Sequence, residues 1–103
     1  MLIGILSDSH DNLPMIQKAV EVLKRRGVDL VLHAGDYVAP FSLKPLLDSF
    51  GQFIGVFGNN DGEILGIFQK SEGRIKAPFL ELEEKGYRIF VSHFYQPAKL
   101  AFA

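Results

Sequence analysis

The chain has 103 residues, enough for one domain, and 48% of them are hydrophobic against 22% charged, a balance that folds rather than staying disordered. Eleven Lys and Arg against twelve Asp and Glu leave a net charge of −1, so the broad basic face that nucleic-acid phosphates require is missing. There is no cysteine, which excludes disulfides and thiolate metal sites; a metal here needs oxygen and imidazole ligands.

Met1 leads directly into a strand-like run, without the charged, apolar and small-residue pattern of a secretory leader. No apolar stretch approaches the ~18–20 residues that span a bilayer. A cytoplasmic location without a membrane partner is the default expectation.

Leu2 to Leu6 is a short apolar run, the pattern of a strand covered on both faces. The polar turn Ser7-Asp8-Ser9-His10-Asp11-Asn12 follows. Pro14 suits a first helical turn, and Ile16, Ala19, Val20 and Leu23 recur at helical spacing until Gly27 closes the helix. Lys24-Arg25-Arg26, the one dense basic cluster, falls at that helix end, where cations complement the helix dipole. Leu30-Val31-Leu32 predicts a second buried strand, ending in His33-Ala34-Gly35-Asp36. Ser42 to Phe50 predicts a second helix with Leu43, Leu46, Leu47 and Phe50 on one face and Pro45 in its first turn. Phe53 to Phe57 predicts a third strand, ending in Gly58-Asn59-Asn60-Asp61-Gly62. Strands alternating with helices imply right-handed crossovers and a mainly parallel sheet.

Beyond residue 62 the pattern changes. Ile64 to Gln69 reads as a short helix, and Phe79–Glu83 with Tyr87–Val91 reads as an antiparallel hairpin around a turn containing Gly86. His93 follows the hairpin, and Pro97 to Ala103 reads as the start of a helix. No repeat or low-complexity linker divides the chain, so residues 1–103 are taken as one domain.

Placed on this skeleton, Asp8 and His10 follow strand one, Asp36 follows strand two, Asn59 and Asp61 follow strand three, and His93 follows the hairpin. Ligands of parallel sheets bind outside the carboxyl ends of the strands, so these segments deliver Asp, His, Asp, Asn and His to one rim. Each residue alone has a plainer use. Asp8 and Asn12 could cap the first helix, and Asn59 or Asp61 could serve a tight turn. Capping requires neither His10 nor convergence on one rim, and the combination points to a metal site. Carboxylate, amide and imidazole donors suit Mn²⁺, Fe or Zn²⁺. His33, on a strand beside an alanine, reads as a packed or hydrogen-bonded residue rather than a ligand.

Asp8-Ser9-His10, Gly35-Asp36, Gly58-Asn59-Asn60-Asp61 and Ser92-His93 together resemble, in order, the motifs D-x-H, G-D, G-N-x-[DE] and first H of the calcineurin-like metallophosphoesterases, nearest the small bacterial and archaeal phosphodiesterase branch. The resemblance implies an α/β fold: a βαβαβ layered sheet, then an antiparallel hairpin, with the second sheet incomplete. It implies two divalent ions, Mn²⁺ first, with Fe, Ni or Zn²⁺ as alternatives. Asp8 and His10 would hold one ion, Asn59 and His93 the other, and Asp36 would bridge them. Asn60 and Asp61 become the candidate catalytic positions, Asp61 acting by orienting its neighbours. Two cations about 3.5–4 Å apart can activate a shared water and clamp the attacking and leaving oxygens of an in-line displacement.

Three departures qualify the resemblance. Many relatives carry His where Asn60 stands, and an amide cannot act as a general acid. Phe94-Tyr95 replaces the family's continuation after His93, leaving open whether the aromatics line or block the pocket. The family's later Gly-His-x-His motif is absent, which implies a part of the family fold lacking one further ligand per metal. The implied function is a metal-dependent phosphoesterase acting on a small phosphoester, most naturally a diester. A scaffold that keeps the fold without turnover is the alternative, and a nuclease is disfavoured by the charge. An uncovered hairpin face leads to an expected homo-oligomer.

Overall fold

Three short apolar runs build the parallel sheet: β1 (Ile3–Leu6), β2 (Leu30–His33) and β3 (Phe53–Gly55), ordered β1-β2-β3. The structure is a computed structural model that describes residues 1–101, with the side chains of all of these except Pro97 and Ala98. Register places Ile3 beside Leu30 and Val31 beside Phe53, so β2 is central and wholly buried. Alternation along β2 then assigns its side chains to two faces.

Val31 joins a core beneath helices α1 (Leu13–Arg26) and α2 (Lys44–Ser49), with Ile16, Leu46 and Phe53. His33 shares that face, its ring 4.1 Å from Tyr37. Leu30 and Leu32 point the other way, onto the hairpin of β4 (Phe79–Glu84) and β5 (Tyr87–Ser92), where they pack with Val56 and Val91. The result is three layers: helices, parallel sheet and hairpin. Lys85 and Gly86 both have positive φ, the two-residue turn whose twist matches a hairpin.

Helix α1 starts where its residues dictate. The Asn12 Oδ1 accepts the Met15 N–H, Pro14 sits in the first turn, and Gly27 closes the end at φ 65°. Lys24, Arg25 and Arg26 occupy the last turn, as expected. The short helix α3 spans Ile64–Lys70.

Four features differ from expectation. The second helix is a 3-10 turn, Pro40–Leu43, followed by α2 to Ser49, because Pro45 has no N–H for the Phe41 carbonyl and the preceding turn tightens. The third strand stops at Gly55; Val56 instead donates to the His33 carbonyl and Phe57 to that of Ala77. Strand β1 is not covered on both faces. It is an edge of the parallel sheet, the hairpin centres on Leu30, Leu32 and Val56, and Ile5 is left 72% exposed. The last helix, α4, begins earlier than expected, at Tyr95, and is described to Ala101; Phe102 and Ala103 of the expected helix lie outside the described residues. Among the described residues no helix is long and apolar enough to cross a membrane.

Candidate metal centre

The loops after β1 and β2 are joined backbone to backbone. Asp8, His10 and Asp11 donate their N–H groups to the carbonyls of Gly35, Asp36 and Tyr37 at 2.9, 3.0 and 3.1 Å. This zipper holds the chain in an unusual state: Asp8, His10, Asp11, Asp36 and Val38 all have φ between 45° and 81°. Left-handed conformations at non-glycine residues cost about 1–3 kcal/mol each and persist only where the surroundings determine them.

Asp61 supplies much of that determination. Its buried carboxylate accepts four backbone N–H groups, from Asp36 at 2.9 Å, Tyr37 at 2.6 Å, Val38 at 2.8 Å and Gly58 at 2.7 Å. The loop after β3 thereby grips the loop after β2. Gly35 and Gly58 permit the approach: a Cβ on Gly35 would lie 2.6 Å from the Gly58 nitrogen, and one on Gly58 2.6 Å from that of Asp36.

The strained loops present Asp36 at the centre, its side chain only 3% exposed. Oδ2 lies 3.1 Å from Nε2 of His10 and accepts the Asn60 side-chain amide at 2.8 Å. Oδ1 accepts the Asn60 backbone N–H at 2.9 Å and lies 3.6 Å from Nε2 of His93. Burial alone pushes this carboxyl up, but the Asn60 donors and the two histidines outweigh it and hold the group below its usual range. Asp36 is therefore a buried carboxylate that stays ionised, with one oxygen turned toward each histidine.

Asp8, Asp36 and His93 offer ligand atoms that all lie within 4.8 Å of one another. The second oxygen pair extends the cluster: Asp8 Oδ1 lies 3.6 Å from His10 Nε2, while its Oδ2 accepts the Ser7 hydroxyl. On the other side Asn59 Oδ1 sits 2.8 Å from His93 Nε2.

That last contact tests whether the donors suit a cation. His93 Nδ1 lies 2.9 Å from the Ala34 carbonyl, which can only accept, so the ring proton belongs on Nδ1. Nε2 is then the ring atom turned to the cluster, 2.8 Å from Asn59 Oδ1 and 3.6 Å from Asp36 Oδ1. Imidazole nitrogen, amide oxygen and carboxylate converge there, a donor set that suits a divalent cation. The Nδ1–H to carbonyl bond is also the arrangement that orients a ligating imidazole.

His33 is different in kind. It is fully buried, its Nδ1 accepts the Gly35 N–H at 3.1 Å, and its Nε2 therefore carries the proton, 3.0 Å from the Ser9 hydroxyl. Burial lowers its pKa to about 4. A neutral, doubly hydrogen-bonded ring agrees with its reading as a packed residue.

Of the sequence-predicted residues, Asp8, His10, Asp36, Asn59 and His93 converge on one cluster. Asn60 joins it through Asp36, and Asp61 lies beneath, facing backbone rather than the cluster. Sequence reasoning missed the Ala34 carbonyl, the Ser7 hydroxyl and the double grip of Asn60 on Asp36. Only the last had a signal, since Asn60 sits inside Gly-Asn-Asn-Asp; a backbone carbonyl leaves none. Phe94 packs edge-on against His93, ring centres 5.2 Å apart, so it supports that ring, and Tyr95 points largely to solvent.

Residues 1–102 match the calcineurin-like phosphoesterase superfamily domain. The chain is 35% identical to the phosphodiesterase MJ0936 of Methanocaldococcus jannaschii over its whole length, and it covers 64% of that protein. A solved structure of an archaeal phosphodiesterase is 33% identical with a TM-score of 0.86, covering 98% of this chain and 64% of that one. The E. coli phosphoesterase Yfce shares the fold at a TM-score of 0.78 and 21% identity, over 92% of this chain and 58% of that one. The chain thus spans less than two thirds of the length of these relatives.

Proposed function

Since the chain belongs to the calcineurin-like phosphoesterase superfamily, we propose that it is a metal-dependent phosphoesterase that hydrolyses phosphodiester bonds in small substrates at a two-ion centre. The observation that carries this reading is Asp36: a buried, ionised carboxylate with one oxygen turned toward His10 and the other toward His93. Asp8 and His10 would hold one ion, Asn59 and His93 would hold the second, and Asp36 would be shared between them. The oxygen and imidazole set favours Mn²⁺, with Fe, Ni and Zn²⁺ also compatible.

Bound divalent ions supply Lewis acidity, neutralising the phosphoryl oxygens and lowering the pKa of the attacking water. The chain's own residues do the positioning. Asn60 holds both oxygens of Asp36 and keeps the carboxylate charged. Asp61 fixes the loop that carries it. His93 is oriented by Ala34 and supported by Phe94. No titratable group stands at position 60 to protonate a leaving group, so the favoured substrates are diesters whose alcohol leaves readily. A scaffold role without turnover gives no use to a strained loop that keeps a charge buried.

The test is hydrolysis of bis(p-nitrophenyl) phosphate by the purified chain, with chelator and then with added Mn²⁺. Activity that requires the metal, and that Asp36→Asn abolishes, supports the proposal. Absence of turnover at every metal concentration overturns it.

A further inference from the structure

Beside the cluster, on the α1 side of the first loop, lies a groove of about 290 Å³. Its wall is apolar: Leu6, Ile16, Ala19 and Leu46, with Met15 at an exposed edge. Asn12, Met15, Ile16 and Ala19 follow helical spacing, so the groove runs along one stripe of α1. Its polar end is Ser7, Asp8 and Ser9.

Asp8 belongs to both places. Its Oδ1 faces His10 in the cluster, and its Oδ2 takes the Ser7 hydroxyl at the mouth of the groove. A phosphoryl group held at the cluster therefore has an apolar slot on the far side of Asp8. We infer that this groove receives the alcohol moiety of the phosphoester, an uncharged group of about one ring, which names the substrate class for the function proposed above and rests on it.

Size and charge set that class. The volume is at the small end of ligand pockets, which run from about 300 to 1,000 Å³, so it takes a ring and not an extended chain. Among the described residues no Lys or Arg lines it, and the one charged lining residue is the acidic Asp8. A second phosphate or a carboxylate on the alcohol would meet no counter-charge there and would be repelled. The apolar wall rewards a ring face, because moving apolar carbon surface out of water is favourable.

The experiment measures binding of phenyl phosphate, methyl phosphate and 4-carboxyphenyl phosphate to the full chain with Mn²⁺, by calorimetry. Phenyl phosphate is expected to bind roughly tenfold or more tightly than the other two, an effect of the size that burying a few ring carbons gives. Ala19→Phe, which fills the groove away from the cluster, should remove that preference while leaving methyl phosphate affinity unchanged. Met15→Ala, at the solvent edge, should weaken phenyl phosphate alone, and it serves if Ala19→Phe does not fold. Equal affinity for all three probes, or a preference untouched by both substitutions, overturns the inference. A phenyl preference in a chain that hydrolyses no ester keeps the groove and removes the phosphoesterase reading; turnover without the preference does the reverse.

Discussion

Asp61 is the residue on which the geometry of the centre turns, and it touches none of the proposed ligands' donor atoms. Four backbone N–H groups converge on its two oxygens, and three of them come from the segment Asp36 to Val38 that is held at or beside positive φ. Asp61→Asn replaces one acceptor oxygen by an amide that points hydrogens at two of those N–H groups. Breaking a buried charged network of this kind costs about 3–5 kcal/mol, so the variant should show that loss in urea unfolding. A change below about 1 kcal/mol would mean that the loop holds itself. His33 gives the second prediction at this scale. Its ring is neutral in the fold, with a pKa of about 4 against the ordinary 6.5. The unfolded chain therefore binds the extra proton first as pH falls. Stability is fully present above pH 6.5, declines between 6.5 and 4, and is constant for this group below that window. The full decline is about 3 kcal/mol, of which roughly 2 kcal/mol falls between pH 7 and pH 5, and that difference should vanish in His33→Gln when unfolding of the metal-free chain is compared at the two pH values.

At the scale of elements, the centre is a contact between three loops rather than a property of any strand. The loops after β1 and β2 are zipped by backbone hydrogen bonds, and the loop after β3 is pressed against them where Gly35 meets Gly58. Gly58→Ala places a methyl 2.6 Å from the Asp36 nitrogen, where neither backbone can yield. The expected outcome is a chain that keeps its helical circular dichroism and loses Mn²⁺ affinity by at least tenfold, as disturbed support of a ligand commonly does; unchanged affinity would separate the loop contact from the metal site. Much of this was readable beforehand. Strand and helix order, the hairpin and the rim of Asp, His and Asn follow from periodicity and from turn residues, which act locally. What was not readable is tertiary. Nothing in Leu2 to Leu6 says that the hairpin will settle over Leu30, Leu32 and Val56 and leave Ile5 in solvent. Likewise Asn60 looks like a lost proton donor in the sequence, and becomes a clamp only when Asp36 arrives beside it.

The whole molecule is layered unevenly. Both crossover helices cover one face of the parallel sheet, and the hairpin covers part of the other. Open grooves follow, one between Ile5 and the residues Ile89, Phe90 and Val91, another between Met1, Ile3 and Tyr87. With Ile5 72% and Tyr87 75% exposed, the apolar border of the two sheets meets water. Such borders attract further strands or copies. The chain by itself is expected to run as a dimer or larger assembly in light scattering at micromolar concentration, and Ile5→Lys should return it to a monomer; a monomer for the unsubstituted chain contradicts this. At every scale the proposed function turns on Asp36 joining two metal positions. The direct measurement is calorimetric titration of the chain with Mn²⁺ beside His10→Ala, His93→Ala and Asp36→Asn. Two ions per chain, one in either histidine variant and neither in Asp36→Asn, is the predicted result. Mn²⁺ binding that persists unchanged in Asp36→Asn, or none at all in the unsubstituted chain, would contradict it.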